Sequence, residues 1–180
     1  MDWDLQMEKV IKVLNSLVED EIIQDYAICG GMAYTHYFEP DTTFDLDIFV
    51  IFNDESRIEV LRPVYERLKN LGYEIEDEYV IIEGINVQFL PSDPPLLRDS
   101  VLNLNVVKYY NTDMKIVSVE YLLAILLQTN RSKDKIRLAA AIGLLKESDI
   151  TTKLDNQQLQ SILERHDLKE KWEDFIENEK

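Results

Sequence analysis

Short apolar runs suited to strands alternate with helically spaced apolar residues along the first two thirds of the chain; beyond Ser118 only the helical spacing remains. Leu5, Val10, Val13, Leu14 and Leu17 recur at a helical period and predict an amphipathic helix over 4–20. A strand follows at about 25–29 and ends at Gly30-Gly31. Met32 to Phe38 predicts a short helix, broken by Pro40 and Asp41, and Phe44 to Phe52 reads as a central strand. Asp54 is a predicted N-cap for a helix over 55–70, stopped near Gly72. Tyr79 to Ile82 and Ile85 to Leu90 predict a hairpin turning at Glu83-Gly84, and Pro91, Pro94 and Pro95 predict a surface loop. Residues 105–110 and 114–117 read as a second hairpin, turning at Asn111-Thr112-Asp113. Helices are predicted at 119–129, 133–146, 156–164 and 168–178. The expectation is an α+β fold, a mixed β-sheet flanked by helices and followed by a C-terminal helical bundle, dividing into 1–117 and 118–180.

Composition narrows the class. A chain of 180 residues buries roughly 70% of its extended surface on folding, so it needs no metal or disulfide for stability. Its 46% hydrophobic and 30% charged residues describe a globule rather than a disordered chain. Cys29 is the only cysteine, which excludes an internal disulfide framework and a cysteine zinc cluster; within an apolar run it reads as packing. No apolar stretch reaches membrane-spanning length and the first residues lack a signal-peptide pattern, so the expected location is the cytoplasm. A net charge of −16 argues against nucleic-acid binding unless a basic patch is segregated on one face.

The candidate chemistry lies between Asp25 and Phe52. Asp45 and Asp47 are two apart on a predicted strand, so their side chains share one face. The rest of that strand is apolar, and like charges projecting together from it are costly unless a cation neutralises them. Mg²⁺ takes carboxylate oxygens together with substrate phosphates. A solvated edge strand is the alternative, opposed by the apolar run Ile48 to Phe52. Gly30-Gly31, between a strand and a helix, could bring backbone N–H groups close to phosphate, or could be a tight turn needing positive φ.

Gly30-Gly31 followed by Thr43-Phe44-Asp45-Leu46-Asp47 resembles the signature of the DNA polymerase β-like nucleotidyltransferase superfamily. Val87-Gln88-Phe89-Leu90-Pro91, and Tyr121 to Ala124 with Leu127 to Asp134, are similar to later motifs of its AbiEii-like members, which include toxins of toxin–antitoxin systems. The likeness covers roughly 5–145. It implies a nucleotidyltransferase-like sheet and transfer of a nucleoside monophosphate from an NTP to a hydroxyl of RNA, a protein or a small molecule. It further implies Mg²⁺ or Mn²⁺ on Asp45 and Asp47, a nucleotide held by Gly30, Gly31, Thr43, Arg131 and Lys133, and a possible antitoxin partner.

Two positions depart from the pattern. Asp41 stands where many relatives have arginine, and Gln88 where the superfamily places a third carboxylate; an amide is a poor base and a weak Mg²⁺ ligand. Glu78 and Glu83 are the substitutes the sequence offers. The alternative to an enzyme is therefore a catalytically inactive nucleotide-binding or interaction protein of the same fold. The segment Arg131 to Arg137 is the only concentrated positive charge, with Asn130 predicted to end one helix and Ser132 to cap the next. It reads as a triphosphate clamp or as a solvated helix face with Asp134 paired to Arg137. His36 and His166 lack metal-ligand partners at helical spacing and are expected to be structural or exposed. Trp172, Phe175 and Ile176 predict the apolar face of the last helix.

Overall fold

A computed structural model describes residues 3–39, 43, 45–53, 59–146 and 154–178. The elements run α1 (Trp3–Glu19), β1 (Asp25–Ile28), α2 (Gly30–Tyr37), β2 (Asp45–Ile51), α3 (Arg62–Asn70), β3 (Glu74–Glu76), β4 (Tyr79–Ile82) and β5 (Ile85–Pro91). They continue as α4 (Pro95–Leu102), β6 (Asn105–Tyr109), β7 (Thr112–Ile116), α5 (Val119–Thr129), α6 (Ser132–Leu145), α7 (Asn156–Arg165) and α8 (Lys169–Asn178). The fold is α+β: one seven-stranded mixed sheet flanked by helices, with helical segments at the C-terminal end.

The strand order is β3-β4-β5-β2-β1-β7-β6, which puts β2 at the centre. It runs antiparallel to β1 and parallel to β5, and its apolar residues are buried while Asp45 and Asp47 alone stay partly open. Register assigns its two faces. Tyr26 pairs with Val50 and gives its hydroxyl to Asn15 of α1 at 2.8 Å. Leu46, Ile48 and Val50 therefore face α1, whereas Asp45, Asp47 and Phe49 face the other side, towards α5. Helix α5 is buried at every position from Val119 to Leu127, the mark of a core helix rather than a surface one. Its Glu120 accepts the Asp155 N–H at 2.9 Å, fixing the start of α7, and Trp172, Phe175 and Ile176 of α8 pack at the margin of the core. Among the described residues, no helix is long and apolar enough to cross a membrane.

Four expectations change. Helix α3 starts at Arg62 rather than 55, because Pro63 is tolerated only in a helix's first turn; the Asp54 cap lies outside the described residues, as do Pro40, Asp41 and Phe44. The predicted proline loop contains α4, for which Pro95 is a compatible first residue and whose Leu96 and Val101 are buried. The second hairpin turns on Tyr110 and Asn111 alone, with Tyr110 at φ 51°, and Thr112 already pairs with Tyr109. Edge strand β3, three exposed residues long, escapes the hydrophobic pattern altogether.

Candidate active site

The turn from β1 into α2 fits against Asp47. Cys29 continues the strand, donating its N–H to the Asp47 carbonyl at 3.0 Å, and Gly30 then reverses direction at φ +60°. A Cβ on Gly30 would overlap Asp47 Oδ2, and one on Gly31 would lie 2.8 Å from Thr43 Oγ1 and 3.0 Å from Arg137 Nη2. Both glycines are thus required by close approach, and α2 begins at the glycines themselves rather than after them. Thr43 donates its hydroxyl to the Asp45 carbonyl at 2.8 Å, with Asp45 Oδ1 at 3.3 Å, steadying the start of the aspartate strand.

Burial, and then the neighbouring Asp45 charge, push the Asp47 carboxyl above its ordinary value; Arg131, Arg137 and Lys133 oppose this without reversing it. The two carboxylates form a donor set suited to a hard divalent cation, though no group of three His, Cys, Asp or Glu among the described residues could hold one. Glu83 is committed elsewhere: its carbonyl accepts from Gln6 at 2.7 Å and its carboxylate meets Lys9 at 3.1 Å, on α1. Gln88 pairs in register with Asp47, directly beside it on the same face.

Facing the aspartates is the junction of α5 and α6. Asn130 ends α5 in the left-handed conformation at φ 55°, as predicted, but Arg131 rather than Ser132 occupies the cap position of α6. Arg131 Nε donates to Asp134 Oδ2 at 2.7 Å and the Thr129 hydroxyl to the same oxygen at 2.8 Å. Burial works against the Asp134 charge, but these donors outweigh it and hold the carboxyl below the usual range. The solvated-face alternative offered Arg137 as the partner of Asp134; Asp134 is bound by Arg131 and Thr129, and Arg137 lies buried with its guanidinium 5.7 Å from the Tyr34 ring centre, beside Gly31. Asp134→Ala should therefore cost only about 0.5–1.5 kcal/mol of stability, read as a lower denaturation midpoint, because the Thr129 hydroxyl can turn to the Ile125 carbonyl at 2.9 Å and the exposed Arg131 to water.

A cavity of about 550 Å³ joins the two halves, with Asp47, Gln88, Arg131 and Arg137 at its polar end and a floor that includes Phe49, Leu122 and Leu126. Arg137 belongs to the segment read from the sequence as a triphosphate clamp, one turn after Lys133, but the bracing of Arg131 by Asp134 and Thr129 was not legible. Lys133 is exposed and acts on Asp47 through its charge. Cys29 is buried packing with its thiol pushed up by burial, and His166 meets Asp99 at 3.1 Å, away from the site.

No protein-family model and no curated protein matches the sequence. Solved structures do. An antigenic nucleotidyltransferase-like protein from Paracoccidioides brasiliensis aligns over 92% of this chain and 91% of its own, at 19% identity and TM-score 0.56. The antibiotic-resistance factor ANT(2'')-Ia in solution aligns over 97% of each chain, at 11% identity and TM-score 0.53. Identities this low carry the architecture and nothing finer. The chain has the nucleotidyltransferase-like fold.

Proposed function

We propose that the protein is a metal-dependent nucleotidyltransferase that moves a nucleoside monophosphate from an NTP to a hydroxyl, in the manner of the AbiEii-like enzymes. The observation that carries this is the carboxylate pair on β2, walled by a glycine turn that no side chain could enter and faced by three cationic side chains in a strongly acidic protein. Asp45 and Asp47 would hold Mg²⁺ or Mn²⁺, which would neutralise charge on the phosphates. Gly30 and Gly31 let backbone approach the phosphates, Thr43 keeps Asp45 aligned, and Arg131, Lys133 and Arg137 stabilise the charge gathering on departing pyrophosphate. The sequence resemblance to AbiEii-like members, which include toxins, supports an antitoxin partner, and the proposed site of action is the cytoplasm. The negative surface favours a protein or small-molecule acceptor over RNA.

The test is incubation with each α-labelled NTP and Mg²⁺, with and without total RNA and protein extract. Transfer of label that Asp47→Asn abolishes is expected; absence of both transfer and metal-dependent NTP binding would sink the proposal. Gln88 favours a second reading, a nucleotide-binding module without turnover, because it puts an amide beside Asp47 where a third carboxylate would serve. Gln88→Asp discriminates. For the enzyme, a third acidic ligand should tighten Mg²⁺ binding in calorimetry and raise transfer; for the module it should change binding alone.

A further inference from the structure

The flank of the aspartate pair opposite the glycine turn carries a hydroxyl that the proposed reaction leaves idle. Tyr79 of β4 pairs with Gln88 and Gln88 with Asp47, so the three side chains form one row across β4, β5 and β2 on the carboxylate face. The row spans two strand spacings, about 9.6 Å. The half-exposed Tyr79 phenol lies in the field of both carboxylates: burial, and then the Asp45 charge, push it above its ordinary value.

We infer that the Tyr79 hydroxyl is itself an acceptor, so that the protein nucleotidylylates its own Tyr79; this rests on the function proposed above. Displacement at phosphorus needs the nucleophile roughly in line with the leaving group and on its far side. Gly31 and the neighbouring Arg137 mark the pyrophosphate side, beyond β1, and Tyr79 on β4 lies on the opposite flank of β2. Gln88, lying between, has an amide that can donate an N–H to a phosphate entering that space. In the step, Tyr79 Oη forms a bond to the α-phosphorus and the bond from that phosphorus to the bridging oxygen of the β-phosphate breaks. Pyrophosphate leaves with the electron pair, and the phenolic proton passes to water. The product covers the carboxylates, so the reaction stops at one nucleotide per chain.

The experiment uses the full chain with each α-labelled NTP and Mg²⁺ and no added acceptor, followed by intact-mass measurement, peptide mapping and equilibrium dialysis of NTP. The chain as purified is mapped in parallel. Expected are incorporation of one nucleoside monophosphate per chain on the Tyr79 peptide, a rate independent of protein concentration, release by phosphodiesterase, and no labelling of Tyr79→Phe or Asp47→Asn. Label on Thr43 or any other residue, or undiminished labelling of Tyr79→Phe, overturns the inference. So does an unlabelled wild type that still binds NTP with metal or transfers label to an added acceptor, which leaves the proposed function standing. A wild type that neither binds nor transfers overturns both.

Discussion

Gly30→Ala should lose metal-dependent nucleotide binding and, independently, stability. Two separate costs meet at this position. The backbone is left-handed, at φ +60°, which costs an L-residue about 1–2 kcal/mol. The added methyl also has nowhere to go, because the Asp47 carboxylate already fills its place, with Cγ 3.0 Å from the ideal Cβ position. Overpacking of this kind costs a further ~1–3 kcal/mol. Relief requires either rotation of Asp47 away from Asp45 or opening of the turn, and each dismantles the carboxylate pair. Gly143→Ala is the matched control: it sits within α6 with nothing within 4 Å of a new Cβ. There the same methyl should stabilise by about 1 kcal/mol through helix propensity alone. Urea denaturation reads the stabilities, and dialysis against labelled NTP with Mg²⁺ reads the binding. Normal binding by Gly30→Ala would mean that the contact with Asp47 has no part in holding nucleotide.

The contrast between these glycines bears on what a sequence can disclose. Gly30, Gly31, Asp45 and Asp47 were legible because each is a local exception: glycines at a strand end, acids inside an apolar run. Their meeting follows from one antiparallel pairing, Ile28 to Ile48, close in sequence. The other half of the site was legible only as a run of charge from Arg131 to Arg137; how it meets the aspartates depends on packing at long range. Arg137 reaches Gly31 only because α6 packs on α5 and α5 on α2, and on its own helix it looks like any cation four residues from another. Tyr79 meets Gln88 through the hairpin that the sequence predicts, but joins the row to Asp47 only through the parallel pairing of β5 with β2, which no periodicity encodes. Helix α4 shows the opposite failure, where a correct local rule was applied at the wrong place: proline breaks helices, yet Pro95 begins one. Pro63 was passed over and moved the start of α3.

Asp47→Asn should reverse the order of stability between variant and wild type according to whether the cation is present. Without metal, the folded state raises the Asp47 pKa through burial and the Asp45 charge, so at neutral pH the ionised pair weakens the fold. Asparagine keeps the shape and removes one charge, and the metal-free variant should be more stable than wild type by about 1 kcal/mol, as is usual when an active-site strain is relieved. The sign of the pH dependence follows. As pH falls through the raised folded-state pKa, wild-type Asp47 takes up its proton before the unfolded chain does. The penalty fades over that window and is gone below the ordinary aspartate value, so the variant's advantage should vanish in acid. Saturating Mg²⁺ acts in the other direction, because a ligand at 100 times its Kd stabilises the form that binds it by about 2.7 kcal/mol. Wild type should then overtake the variant, whose affinity for metal–NTP should fall on the order of 100-fold or more, beyond the loss of a merely supporting partner. Because the cation needs the carboxylate ionised, wild-type binding should release protons and weaken as the solution is acidified. Melting temperatures with and without Mg²⁺ across that pH range decide the matter. Parallel curves for the two proteins would show that Asp47 neither repels Asp45 nor holds the cation.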